Sequence, residues 1–230
     1  MGYLGYKPAD KPLTSADITD SIITSAKITD ATIALADLSA TGTKDATTFL
    51  RGDNTFAVVS NTVKQIITST DSTTYAVSVS GGSGSSSSQA STVTFGTITP
   101  TSASSKIICH WVVPQIDTNS DVHGGVYLNI WRSINAGTYT KLSLGGTSAG
   151  SRHAPYMSNY NLDGDGNRAL GSGFSGVFVD EPNTTSSVQY KLYVGMGDNT
   201  SYTIYVNRTY NDSDADYTGR TKTHSVLMEI

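Results

Sequence analysis

The sequence predicts an all-β protein: a jelly-roll-like β-sandwich preceded by a short extended repeat shaft that homo-oligomerisation completes. Three observations carry this prediction. From residue 61 onward, apolar and polar residues alternate in short segments separated by turn residues, the pattern of half-buried strands. Between residues 13 and 38 an aliphatic side chain recurs at every fifth position, a period that suits neither a helix nor an exposed strand. Ser and Thr supply 63 of the 230 residues while only 15% are charged, a balance that belongs to β-rich surface and fibre proteins.

Residues 1–13 read as an attachment arm and residues 14–38 as the shaft. The aliphatics of the repeat are Leu13, Ile18, Ile23, Ile28, Ile33 and Leu38, and two positions before most of them stands a small residue, Ala16, Ser21, Ala26, Ala31 or Ala36. This spacing resembles the pentapeptide repeat, a four-sided solenoid with one pentad per face. About six pentads make little more than one coil, and a solenoid unit needs stacked neighbours to cover its apolar side. Disordered segments are ordinarily poor in Ile and Leu, so copies of the same chain are expected to complete the core. Residues 39–60 form a linker or collar. Gly52-Asp-Asn54 is turn chemistry between the apolar anchors Phe49 and Phe56, which predicts a small hairpin.

The sandwich head spans residues 61–230. Its strands are predicted at 62–68, 74–79, 91–98, 106–113, 125–133, 138–144, 156–161, 173–180, 187–195, 202–208 and 222–230. Between them lie Gly81-Gly-Ser-Gly, Asp163-Gly-Asp-Gly-Asn167, Glu181-Pro-Asn183 and Asn211-Asp-Ser-Asp-Ala-Asp216. No helical stripe appears, and short strands in this number read as a jelly roll. In the last segment Val226, Met228 and Ile230 alternate with Leu227 and Glu229, so this end is expected to be locked into the sheet.

Composition excludes several classes. Gly is too sparse and aperiodic for collagen, and Ala, Glu, Lys, Leu and Arg are too few for a coiled coil. The net charge of −4, with scattered Lys and Arg, gives no basic patch for nucleic acid. No stretch approaches the ~20 apolar residues of a membrane span, and the first residues lack an apolar core of signal-peptide length. A soluble protein made in a cytoplasm is expected, without membrane insertion. The lone Cys109 sits in an apolar run and is expected to be a buried, inert thiol.

Two passages together bring a family into view. One is Gly2-Tyr-Leu-Gly-Tyr-Lys-Pro8, with Asp17-Ile-Thr-Asp-Ser-Ile22, Ser25-Ala-Lys-Ile-Thr-Asp-Ala-Thr-Ile33 and Thr48-Phe-Leu-Arg-Gly-Asp-Asn-Thr-Phe56. The other is Thr99-Pro-Thr-Ser-Ala-Ser-Ser-Lys-Ile107, with Val206-Asn-Arg-Thr-Tyr210 and Leu227-Met-Glu-Ile230. The chain resembles bacteriophage tail-fibre and virion-fibre proteins of the marine or cyanobacterial type. The resemblance implies a virion structural protein, a homotrimer with its N-terminal end held by other virion proteins and its head exposed for host recognition. The shaft is far shorter than that of a large tail fibre, so a short fibre and a capsid decoration or head-fibre protein with a structural role are both open.

Strings that mimic catalytic motifs have bland readings. Gly146-Thr-Ser148-Ala-Gly150, with His153 nearby, matches a nucleophile elbow but no helix follows to aim the serine. Gly171-Ser-Gly173-Phe-Ser-Gly176 matches a dinucleotide fingerprint, yet a strand follows where the helix should be; these glycines are expected to permit a bulge or a close backbone approach. Asp163-Gly-Asp165-Gly-Asn167 opens like an EF-hand, but Arg168 and Phe174 stand where Gly and Glu are required. A looser calcium site stays open there, as it does at Asp212, Asp214 and Asp216, although such loops are ordinarily solvated turns. The four histidines share no metal-ligand spacing. Asp117, Asp121, Asp180 and Glu181 are the carboxylates from which a glycosidase pair would have to come. No enzyme activity, cofactor or metal is expected.

The aromatic signal lies in 13 tyrosines. Tyr190, Tyr193, Tyr202 and Tyr205 fall at strand positions and are expected to pack with the phenol at an edge. Tyr156, Tyr160, Tyr210 and Tyr217 lie beside polar loops and, with Arg168, are the candidate ligand-binding residues for a host-surface glycan. The loops concerned are 153–168 and 210–220.

Overall fold

The computed structural model describes residues 14–29, 32–34, 37, 39–58, 63–80, 89–118, 125–147, 154–159, 172–196, 201–216 and 218–230. The chain divides into two compact units, Met1–Ser60 and Asn61–Ile230.

In the first unit the period of five is a period of turns. The amides of Asp17, Ile22, Lys27, Thr32 and Asp37 donate to the carbonyls of Thr14, Thr19, Thr24, Thr29 and Ala34, at 2.9–3.1 Å. Ser15–Asp17 and Ser25–Lys27 close as short 3-10 turns. The repeat unit is therefore one i→i+3 turn followed by an aliphatic. Side chains reinforce it: the Asp17 carboxylate accepts from the Thr14 amide and hydroxyl at 2.8 and 2.7 Å. The aliphatics this ladder displays, Ile18, Ile23, Ile28 and Ile33, are 40–57% exposed. Leu13 and Leu38 lie outside the described residues. Beyond the ladder, β1 (Thr48–Leu50) and β2 (Phe56–Val58) pair antiparallel, so the expected hairpin forms. Its turn places Asn54 at φ 61°, a conformation Asn tolerates.

Among the described residues the second unit carries eleven strands: β3 (Gln65–Asp71), β4 (Tyr75–Val79), β5 (Ala90–Ile98), β6 (Ile107–Thr118), β7 (Val126–Ile134), β8 (Thr140–Lys141), β9 (Met157–Asn159), β10 (Ser172–Asp180), β11 (Val188–Met196), β12 (Tyr202–Val206) and β13 (Thr223–Glu229). Each falls on a predicted segment. Several are consecutive pieces of one line. β3 and β4 pair with β13 and β12 respectively, and β13 and β12 in turn follow the same side of β6. Likewise β8 and β9 follow one edge of β7.

Counted as eight lines in chain order, the front sheet runs 1-8-3-6 and the back sheet 2-7-4-5. Lines 1 and 8, 2 and 7, 3 and 6, and 4 and 5 are neighbours, as in one long hairpin rolled upon itself. This is the jelly roll.

The sheets meet over a common core. On β6 the side chains of Ile107, Cys109, Trp111, Val113, Ile116 and Thr118 are buried. The inward set slips by one residue after Val113, because Ser172 pairs with Ile116 while Phe174 pairs with Val113. This bulge lets Pro114 sit in an interior strand, where an unpaired ring nitrogen would otherwise break the ladder. It also explains Gly173 of the G-x-G-x-x-G string, where a Cβ would lie 2.9 Å from the Pro114 carbonyl oxygen. Gly176, outside the bulge, answers to close packing, since a Cβ there would lie 2.8 Å from the Tyr156 hydroxyl and 3.0 Å from the Trp111 ring. Phe95 stacks on Trp111 at 5.2 Å and Phe178 meets Tyr190 edge-on at 5.3 Å, joining the two sheets. Cys109 is buried, which raises its thiol pKa.

The outer face of the front sheet is unusual. Cross-strand register sets Val179, Ile108, Met228 and Ile66 in one row, with Val177, His110, Val226 and Thr68 in the next. Ile66, Val177 and Val179 are exposed, and neither row contains an acidic, Lys or Arg side chain.

Two buried polar centres fasten the roll. At the break between β12 and β13, Asn207 is fully buried with φ 62°. Its amide nitrogen donates to the Asp71 and Thr73 carbonyls at 3.1 and 3.0 Å, and its oxygen accepts from the Thr223 hydroxyl at 2.9 Å. On β13 the inward residues are Thr223, Ser225, Leu227 and Glu229. Glu229 accepts from the Thr101 amide and hydroxyl at 2.7 and 2.5 Å and from Gln65 at 2.6 Å. The final strand is thereby tied to β3 and to the loop after β5.

Candidate functional site

Of the tyrosines expected to bind a ligand, Tyr160 and Tyr217 lie outside the described residues, as does Arg168. Tyr156 is half-buried. It leans on Trp111 and Phe178 at 6.3 and 6.4 Å and donates from its hydroxyl to the Val177 carbonyl at 2.7 Å, so it closes the end of the core. Burial raises its pKa. Tyr210 packs edge-on against Tyr205 at 5.7 Å, and its amide donates to Asp117 at 2.7 Å. The two are anchored at Trp111 and Asp117, six positions apart on β6, which is about 20 Å of strand. They do not share a surface patch.

The acidic loop is organised by arginine. Asp212 accepts two hydrogen bonds from Arg220, at 2.9 and 2.7 Å, and lies 3.4 Å from Arg208. The Arg220 hydrogen bond leads in holding its carboxyl below the usual range. Asp212 and Arg220, with Asp214 and Thr218, line a surface depression of about 350 Å³. Among the described residues no three His, Cys, Asp or Glu side chains converge as metal ligands. Asp117 and Asp180 do not form a glycosidase pair. Asp180 is in register with Ile107, at the far end of β6 from Asp117 and roughly 30 Å away along it. Asp121, Ser148 and His153 lie outside the described residues.

A different site emerges on the outer face of the back sheet. Alternation sends Leu128 and Ile130 of β7 into the core and turns Trp131 outward. The register places Lys191 of β11 opposite Trp131 on one side and Lys141 of β8 on the other. One row across three strands therefore reads Lys191–Trp131–Lys141, about 10 Å from end to end. Trp131 stacks on Tyr193 with ring centroids 4.5 Å apart and planes at 22°. Tyr139, from the turn between β7 and β8, leans on Tyr193 at 6.3 Å, and the Lys191 ammonium lies 4.9 Å from its ring centroid.

Amides frame the aromatics. Trp131 Nε1 donates to Gln89 at 3.3 Å, Tyr139 donates to Gln189, and Gln189 donates to Thr97 at 2.9 Å. Trp131, Tyr193 and Tyr139 are all half-exposed. Burial lowers the Lys141 pKa; burial, then the neighbouring Tyr193, raises that of Tyr139. Among the described residues neither lysine has an ion-pair partner. The patch offers ring faces, amide groups and two cations.

Nothing in the linear sequence sets Lys141 and Lys191, fifty positions apart, beside one Trp. The available signal was local: in 125–133 the alternation that buries Val126, Leu128 and Ile130 puts Trp131 on the polar face.

No protein-family model matches the chain, and no curated protein matches it. Solved structures similar to it include infectious bursal disease virus of the Gx strain, at TM-score 0.32 and 11% identity over 76% of this chain and 38% of that one. Another is the same virus of the Gt strain, at TM-score 0.31 and 16% identity over 76% and 39%. The chain spans about two-fifths of the length of those chains, and at these scores the likeness carries no functional argument.

Proposed function

We propose that the chain is a virion structural fibre protein: a non-enzymatic homotrimer, held to other virion proteins by residues 1–13, that presents residues 61–230 on the particle surface for recognition of a host-surface glycan. The observation that carries this reading is the turn ladder of residues 14–37. It repeats every five residues through backbone hydrogen bonds, yet leaves Ile18, Ile23, Ile28 and Ile33 in contact with solvent. About half of each of these side chains is still exposed, so burying the four between copies removes apolar surface worth about 1 kcal/mol each. A regular ladder with an uncovered aliphatic side therefore favours association with identical ladders.

Two further features support the reading. The two uncharged rows on the outer face of the front sheet suit lateral contact between heads, because no charge within them would have to be desolvated. Multiple heads on one shaft then raise the effective concentration of a weak surface contact. The resemblance of residues 2–56 to virion-fibre sequences supplies the trimer and the anchored arm. Cofactor, nucleic acid and membrane insertion have no part in this function.

The test is adsorption. Purified protein should bind host cells and block infection by the parent particle, and gold-labelled antibody should mark the tips of projections. Protein that neither binds nor blocks, with label spread over the capsid lattice, would overturn the receptor role and leave capsid decoration.

A further inference from the structure

We propose that the Lys191–Trp131–Lys141 row is a binding site for an acidic polysaccharide, whose sugar rings lie against the exposed aromatic surfaces and whose carboxylates meet the two lysines. This rests on the host-surface reading above and goes beyond it, because it names a site and a class of glycan.

A pyranose presents weakly positive C–H groups on its faces and hydroxyls around its rim. The π face of an aromatic ring is negative and suits the former, while amide side chains such as Gln89 and Gln189 suit the latter. Trp131 and Tyr193 are held for the task rather than merely exposed. Their stack is fixed by the register of β7 on β11 and by the bond from Trp131 to Gln89, so little side-chain entropy remains to be lost on binding.

The lysines select the charge. In a chain with 19 acidic and 15 basic residues, two ammonium groups flank one Trp with no carboxylate paired to either among the described residues. An anion supplied from outside completes them. The Lys141 ammonium, partly withdrawn from water, gains the more from such a partner. Two isolated cations are too few for nucleic acid, whose affinity comes from neutralising many phosphates. The polar frame is equally unlike the apolar front-sheet face, so a hydrophobic protein partner fits that face and not this one.

The probes are polygalacturonate and alginate, both polyuronates, against neutral dextran, in affinity electrophoresis of the full chain. The polyuronates should retard the protein, dextran should not, and added salt should reduce the retardation. Trp131→Ala should weaken polyuronate binding by about tenfold or more, the loss of one aromatic anchor. The double variant Lys141→Gln/Lys191→Gln should weaken it while leaving the urea midpoint unchanged; should Trp131→Ala fold poorly, this variant carries the test. Equal retardation by dextran, unaltered binding by the lysine variant, or no polyuronate binding would each overturn the proposal. Cell adsorption separates this failure from that of the underlying reading. Adsorption that survives the lysine variant overturns this site alone, and absence of adsorption by the unaltered protein overturns host-surface recognition.

Discussion

Protonating Glu229 should loosen the last strand, by an amount that the structure allows to be worked out. The carboxylate is out of solvent contact. Burial alone would raise its pKa, but hydrogen bonds from Thr101, Ser105 and Gln65 outweigh it and bring the value from 4.5 to about 2. A depressed folded-state pKa stabilises the fold above the unfolded value, and that stability is lost as pH falls through the folded value. The window therefore runs from about pH 4.5 down to about pH 2. A difference of 2.5 pH units corresponds to about 3 kcal/mol, an upper figure because the group lies near the end of the sandwich, close to water.

The assay is urea denaturation across pH 7 to 2 for the natural protein and Glu229→Gln. Other carboxylates held below their usual range, such as Asp71 and Asp212, are common to both proteins and cancel in the difference. At pH 7 the Gln variant should be less stable by up to about 3 kcal/mol, since its amide would turn a donor toward donors. The gap should narrow steadily below pH 4.5. A gap that stays constant down to pH 2, or is under about 1 kcal/mol at pH 7, would refute the reasoning.

Asn207→Ala loses three side-chain hydrogen bonds and leaves a non-glycine residue at φ 62°; it should cost about 3 kcal/mol or more. Asn207→Gly removes the conformational part and should recover about 1 kcal/mol of that, measured by the same urea titration. At the β10 end of the core, Arg132 reaches both oxygens of Asp180 at 2.8 and 2.9 Å, and the Tyr190 hydroxyl donates to the same carboxylate at 2.8 Å. Asp180→Ala strands a mostly buried guanidinium and a buried phenol, for a loss of about 3 kcal/mol in chemical denaturation. The neighbouring pair Lys106–Glu181 is exposed on both sides, so Glu181→Ala should stay within about 0.5 kcal/mol; similar losses for both variants would contradict the difference in burial.

The fold was largely legible because its strands are short and bounded by turn residues. Alternation needs only local sequence, and every predicted segment of the head holds a strand. Pairing was not legible. That β3 and β4 together face β13 and β12 depends on residues up to 164 positions apart, such as Gln65 and Glu229. Pro114 made β6 look finished at residue 113; the bulge opposite Gly173 carries the strand on to Thr118. In β13 hydrophobicity alone would turn Val226, Met228 and Ile230 inward, but the hydrogen-bond cradle of Glu229 decides for the other face. The same limit explains the site. Loop tyrosines can be read from their neighbours, whereas a Lys–Trp–Lys row exists only once β8, β7 and β11 are laid side by side.

The most direct test of the shaft is the solution mass of the intact chain, measured by light scattering over a range of concentrations. Three copies of 24.2 kDa give about 73 kDa, and placing aspartates at Ile18 and Ile28 should return the mass to that of one chain, because charges would then lie where aliphatics meet. A mass of 24.2 kDa at every concentration, unchanged by those substitutions, would contradict a shaft completed by copies of itself.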